Sequence, residues 1–116
     1  MNILIKQATI VDPNSPHNGK KQDILIEKGR ITSIRKQIPS KGKVIKGDHL
    51  HVSPGWFDMQ VNFKDPGFEH KEDVFSGCMA AAQGGFTGVA CMPGTNPPLH
   101  TKSEIEYIIN KSKNLY

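Results

Sequence analysis

Branched apolar residues dominate positions 3–11, where Ile3, Leu4, Ile5, Ile10 and Val11 predict a strand. The run Asp12-Pro13-Asn14-Ser15-Pro16-His17-Asn18-Gly19 then reads as a turn-rich loop. Residues 23–27 and 30–34 alternate as two strands separated by Lys28-Gly29, a two-residue hairpin connection in which glycine supplies the positive φ such turns require. Val44-Ile45 and Leu50-His51-Val52 predict two more short strands before Ser53-Pro54-Gly55. The pattern up to Pro54 is therefore that of a small all-β unit.

After Gly55 the period changes. Residues 56–63 predict an apolar strand and residues 64–70 a polar loop. In residues 72–83, Val74, Phe75, Cys78, Met79 and Ala82 recur at helical spacing, and Gly84-Gly85 marks the stop. These glycines follow a helix instead of opening one, so they fit a helix C-terminus better than an anion cradle. Residues 87–92 predict another strand, residues 93–98 a turn, and Thr101 with Glu104 the capping-box start of a second helix whose apolar stripe is Ile105, Ile108 and Ile109. Strand, helix, strand, helix is the repeat of a parallel α/β fold.

Composition narrows the function classes. The 116 residues are 36% apolar, enough for a modest core, and the net charge is +4. Residues 1–55 hold ten Lys/Arg against four Asp/Glu, and residues 56–116 hold five against seven. The cations Lys6, Lys20, Lys21, Lys28, Arg30, Arg35, Lys36, Lys41, Lys43 and Lys46 are scattered without interleaved aromatics, so a solvated surface is expected and nucleic acid is not. Cys78 and Cys91 are lone thiols in apolar company, which points to a reducing cytoplasm. No apolar run approaches the roughly 20 residues of a membrane span, and the N-terminus lacks the character of a signal peptide.

The most specific signal lies in residues 53–97. Pro54-Gly55, Asp58, Pro66-Gly67, Glu69, Lys71-Glu72, Gly84-Gly85-Phe86-Thr87, Met92-Pro93 and Thr95-Asn96-Pro97 stand in a long ordered pattern. That pattern closely resembles the start of the barrel in long-form dihydroorotases, within the cyclic amidohydrolase superfamily. The stretch 93–97 favours this group over allantoinase or dihydropyrimidinase. The resemblance implies an α/β fold with residues 55–116 as the first two βα units of a TIM barrel. Residues 1–54 would be the N-terminal segment of a small β-sandwich. A closed barrel takes on the order of 250 residues, so the barrel is expected to be incomplete here, as in a truncated, split or complemented chain.

In chemistry, the resemblance implies hydrolysis of dihydroorotate, or the reverse cyclisation of carbamoyl aspartate, assisted by a metal and by a carboxylate later in the barrel. Two histidines on the first strand would be metal ligands, two positions apart so that both face one side. Those positions hold Gln60 and Asn62, whose neutral amides are poor zinc donors beside imidazole or thiolate. The family's substrate-gripping arginine is Lys64, which keeps the charge and loses the two-pronged fork. Of the family's further substrate contacts, one asparagine is replaced by Gly94 and Asn96 is kept.

The framework stands while the chemistry is substituted. The sequence therefore resembles the noncatalytic dihydroorotase-like paralogues that some bacteria keep as structural partners of aspartate transcarbamoylase. That resemblance implies a cytoplasmic member of pyrimidine biosynthesis with no metal cofactor. Its partners would be the remainder of its own barrel, a homo-oligomeric copy, or aspartate transcarbamoylase. The alternative is an active, divergent cyclic amidohydrolase that binds zinc through ligands on later strands. A third reading is a fragment, cleaved near Tyr116, that stays bound to the rest of its barrel.

Other residues have plainer readings. His49-Leu50-His51 is an ordinary strand pair outside the barrel mouth, His70 is a loop residue, and His17 and His100 belong to the surface. Asp58, two residues before Gln60, is expected on the same face of the strand, hydrogen-bonded at the barrel bottom or left over from the acidic floor of a metal site.

Overall fold

The computed structural model describes residues 2–40, 42–113 and 115. Lys41, one of the ten scattered cations, and Tyr116 lie outside the described residues. By its contacts the chain divides into two compact units, Met1–Pro54 and Gly55–Tyr116.

The first unit is a sheet of five strands: β1 (Asn2–Ile10), β2 (Lys21–Glu27), β3 (Arg30–Arg35), β4 (Lys43–Ile45) and β5 (His51–Val52). The order is β3-β2-β1-β4, with β5 also paired to β1. β1 runs antiparallel to β2 and parallel to β4 and β5. The β2–β3 hairpin turns on Lys28 and Gly29, with φ of 51° and 75°. Both central residues are left-handed, as the twist of a tight two-residue hairpin demands. Leu4, Leu25 and Ile38 form its buried cluster, with Ala8, Ile10 and Ile24 also buried.

One polar residue lies in this core. Asp23 is fully buried and accepts hydrogen bonds from Lys6 Nζ (2.6 Å), Gln7 N (2.9 Å), Gln7 Nε2 (2.8 Å) and Ile38 N (2.8 Å). Gln7 sits at φ 52° where the β1–β2 register shifts between Ile5 and Ala8, so Asp23 satisfies the amide that the bulge leaves without a ladder partner. Lys6 is thus a structural cation, unlike the exposed Lys20 and Lys21.

The second unit runs β6 (Trp56–Val61), α1 (Val74–Gln83), β7 (Phe86–Cys91), α2 (Lys102–Ser112). β6 and β7 pair in parallel. Helix α1 starts at Val74 and not at Glu72 because Asp73 takes the cap: its carboxylate accepts Ser76 N (2.7 Å) and Ser76 Oγ accepts Asp73 N (3.3 Å). The helix ends as expected, with Gly84 N donating to Ala80 O and Gly85 at φ 85°. At α2 the Glu104 carboxylate accepts Thr101 N at 2.7 Å. The apolar stripe of α2 is only partly covered: Ile108 is half-buried, whereas Ile105 and Ile109 are about half exposed. Likewise α1 buries Val74 and Gly77 but leaves Phe75 exposed. No helix among the described residues is long and apolar enough to cross a membrane.

Candidate functional site

Because β6 and β7 are parallel, their carboxyl ends share one edge, the edge at which parallel α/β sheets bind ligands. Val61 pairs with Cys91 there, and Met92 N donates to Val61 O at 2.9 Å. The loops that leave this edge hold Asn62, Lys64, Gly94 and Asn96, and Gln60 lies in β6 just before it. The loops are also tied to each other. Asn96 N donates to Pro66 O (3.0 Å), and a Cβ on Gly67 (φ 98°) would overlap the Asn96 carbonyl, so only glycine allows the two loops this approach. Thr95, almost fully buried, donates through its hydroxyl to Pro97 O (2.7 Å). The peptide bonds preceding Pro66 and Pro97 are cis.

Gln60 lies within β6 and is exposed, whereas Asn62 is exposed just beyond the strand, which ends at Val61 and not at residue 63. The strand is also irregular before that end. From Asp58 to Val61 is three residues on β6, opposite two on β7 from Val89 to Cys91, so β6 carries a bulge at Met59-Gln60. Asp58 Oδ1 accepts the Gln60 amide at 2.9 Å inside that bulge. The simple alternation expected for Asp58 and Gln60 is therefore interrupted. Asp58, Val61, Asn62 and Glu72 help line a cavity of about 300 Å³ against α1, and Gln60 is outside its lining.

Lys64 is half-buried and adopts φ 58°, with Phe68 N closing a turn onto its carbonyl at 2.9 Å. A left-handed lysine is sterically unfavourable and persists only where neighbours hold it. Gly94 is exposed, and a side chain there would meet nothing within 4 Å, so the position opens onto free space. The Asn96 side chain is also exposed. His70 and His100 are exposed in their loops. His49 (φ 56°) and His51 are exposed in the first unit, with His51 Nδ1 2.6 Å from His49 O, and His17 is half-buried.

Like Asp23 in the first unit, a buried carboxylate of the second unit carries no sequence motif. Asp65 is fully buried and accepts Val74 N (3.2 Å), Tyr107 Oη (2.9 Å) and Lys111 Nζ (2.7 Å). Burial pushes its carboxyl up, but the bonds from Lys111, Val74 N and Tyr107 outweigh that and hold it below the usual carboxylate range. The same bond to Asp65 raises Lys111. The i, i+4 spacing of Tyr107 and Lys111 was the available signal, since it places both on one side of α2. In the same loop, backbone amides of Gly67 and Glu69 lower the Glu69 carboxyl. Cys78 and Cys91 are free and half-buried, and burial raises both thiols, Cys91 with a further contribution from Cys78.

Gln60 and Asn62 do not by themselves fit a zinc ion, since both offer neutral amides, which are poor donors to it. What the edge and its loops carry instead is Lys64, the amides of Gln60, Asn62 and Asn96, and the open space at Gly94.

Comparison with known proteins agrees with this layout. The Dihydro-orotase-like family profile matches residues 49–115. The dihydroorotase of Acetivibrio thermocellus is 48% identical over 112 residues, covering 96% of this chain and 26% of that protein. The dihydroorotase of Geotalea daltonii is 47% identical over 115 residues, covering 97% and 27%. The chain thus spans about a quarter of the length of these relatives. Among solved structures, a D-hydantoinase superposes with a TM-score of 0.72 at 32% identity, covering 96% of this chain and 24% of that one. The L-hydantoinase (dihydropyrimidinase) of Arthrobacter aurescens superposes with a TM-score of 0.74 at 22% identity, covering 95% and 24%, and so speaks for the fold alone. The two-helix, sheet-rich α/β chain is built like the corresponding region of these amidohydrolases, and it belongs to the dihydroorotase-like family.

Proposed function

We propose that the protein is a noncatalytic dihydroorotase homologue of pyrimidine biosynthesis that keeps the amidohydrolase framework as a structural partner. The observation that carries this reading is the presence of neutral amides at Gln60 and Asn62 on a strand edge that keeps its pairing and its loop-to-loop contact. Neutral amides do not replace imidazoles for zinc, and without a Lewis acid the ring amide of dihydroorotate is not polarised for attack. Lys64 holds a carboxylate as a point charge and not as a fork, and Gly94 contributes no donor to a substrate.

In this reading, residues 1–54 are a β-sandwich segment and β6-α1-β7-α2 are the first two βα units of a barrel. Two features support further units packing on them. Trp56, Phe57 and Met59 expose 58%, 58% and 75% of their surface on β6, more than a strand packed on both faces leaves open. An apolar groove of about 470 Å³, lined by Cys78, Ala81, Ala82, Phe86, Val89 and Leu115 among others, lies open beside β7.

The partner proposed for the assembled protein is aspartate transcarbamoylase, in keeping with a framework retained without its chemistry, and the location proposed is the cytoplasm. The test is turnover of dihydroorotate and of carbamoyl aspartate by the full-length protein, alone and with aspartate transcarbamoylase of the same organism. No turnover, together with co-elution of the two proteins as one complex, supports the reading. Turnover by the protein alone sinks it.

A further inference from the structure

Asp65 ties three elements to one carboxylate. It follows the left-handed Lys64, accepts the first amide of α1 at Val74, and takes both Tyr107 Oη and Lys111 Nζ from α2. Lys111 Nζ also donates to Tyr107 Oη (2.8 Å) and lies 5.1 Å from the centre of its ring, so the two donors brace each other. A charged group with no exposed side-chain surface is stable only while such partners remain, because the lost hydration has no other replacement.

Helix α2 has few other fastenings, since none of its residues is buried and Ile105 and Ile109 stand about half exposed. Its polar grip on Asp65 is therefore a principal attachment to the β6–α1 loop. That loop in turn holds the β7–α2 loop through the bond between Asn96 N and Pro66 O and the close approach at Gly67. A displacement at Asp65 would reach both loops of the strand edge.

We propose that Tyr107 and Lys111, acting through Asp65, are positioning residues that hold the loop at residues 62–71, and with it the backbone of Lys64, in place at the strand edge. The inference rests on reading that edge as the family's ligand-binding mouth, but not on whether the mouth is catalytic. Both residues act through the Asp65 carboxylate. Both determine where the ligand-facing loop stands.

Hydrogen exchange on the full-length protein tests it, comparing wild type with Tyr107→Phe, Lys111→Met, Lys111→Arg and, as a control for general destabilisation, Leu4→Ala. Tyr107→Phe and Lys111→Met are expected to speed exchange at the Phe68, Lys71 and Val74 amides by about tenfold, the signature of local opening. The β1–β2 amides should keep their wild-type rates. Lys111→Arg keeps a donor in reach and should restore most of the protection. Tyr107→Phe removes one bond only, so it reports even if Lys111→Met fails to fold. Loop exchange unchanged in Tyr107→Phe would overturn the proposal. So would acceleration spread evenly over the second unit, or loop acceleration of equal size in Leu4→Ala. The readout needs no substrate, so a finding of zinc-dependent turnover would remove the noncatalytic reading and leave this one standing.

Discussion

Lys6 Nζ lies 2.6 Å from Asp23 Oδ2, and the Asp23 side chain has no exposed surface. The pair does more than cancel charge. Asp23 also caps the amide of left-handed Gln7 and the amide of Ile38, so one carboxylate fixes the β1 bulge and the segment that follows β3. Such a residue replaces several ladder bonds at once.

Asp23→Ala should accordingly cost about 3 kcal/mol or more, the range seen when one partner of a buried pair is removed and its mates stay unpaired. Urea unfolding followed by a probe in the first unit measures it. A change below about 1 kcal/mol would show that water readily replaces the carboxylate.

Acid should destabilise the protein through two carboxylates. Burial pushes Asp23 up, but the bonds from Lys6, Ile38 N and Gln7 outweigh it, and the net value lies below the ordinary one, as it does for Asp65. A lowered folded-state value means the contribution is complete above the unfolded value near ~3.9 and is lost as pH falls through the folded one. The urea midpoint should hold from neutrality to about pH 4 and drop below that. Lys111 has the opposite sign: its value is raised, so its contribution is complete below the unfolded value near ~10.4 and fades only as pH rises through the folded value. A midpoint that stays level down to about pH 2 contradicts the assignment of both carboxylates.

Gly77 is a packing position. A Cβ there would overlap the ring of Phe63, itself buried, so Gly77→Ala should cost about 1–3 kcal/mol through overpacking. Phe63→Leu in the same chain should return part of that loss, and a double-mutant cycle measures the coupling. Additive effects would mean the helix simply shifts away.

Lys64→Gly should stabilise the folded chain by up to about 1 kcal/mol, because glycine accepts the left-handed conformation that lysine resists. Thermal melts of the two proteins settle this. A loss of stability would mean the lysine side chain makes a contact worth more than its backbone costs.

What the sequence made legible follows from how local each cause is. Lys28-Gly29 announced a hairpin because the turn's demand for positive φ is met by the two residues themselves. Thr101 and Glu104 marked a helix start for a similar reason, the bond between them spanning three positions. Asp73 was less visible because Glu72 is also an acceptable first-turn residue, and the choice depended on Ser76 reaching back.

The bulges at Gln7 and at Met59-Gln60 were not legible, since a bulge exists only relative to the partner strand's register. That is why the side-by-side placement expected for Asp58 and Gln60 does not hold. Asp65 was likewise hidden: Tyr107 is 42 residues away in sequence, and no local pattern ties a loop carboxylate to one helix face. The exposure of Ile105 and Ile109 could not be read from their spacing either, which marks an apolar stripe but not what covers it. Gln60, Asn62, Lys64 and Gly94 drew notice only through the resemblance to dihydroorotases, while what each can offer is set by its side-chain type.

The central proposal is that the protein, with Gln60 and Asn62 at the first-strand ligand positions, holds no catalytic zinc. Zinc content of the purified full-length protein, measured beside a Gln60→His/Asn62→His variant, tests it most directly. The account predicts well under one zinc per wild-type chain. One zinc or more per wild-type chain, lost on chelation together with dihydroorotate turnover, would contradict it.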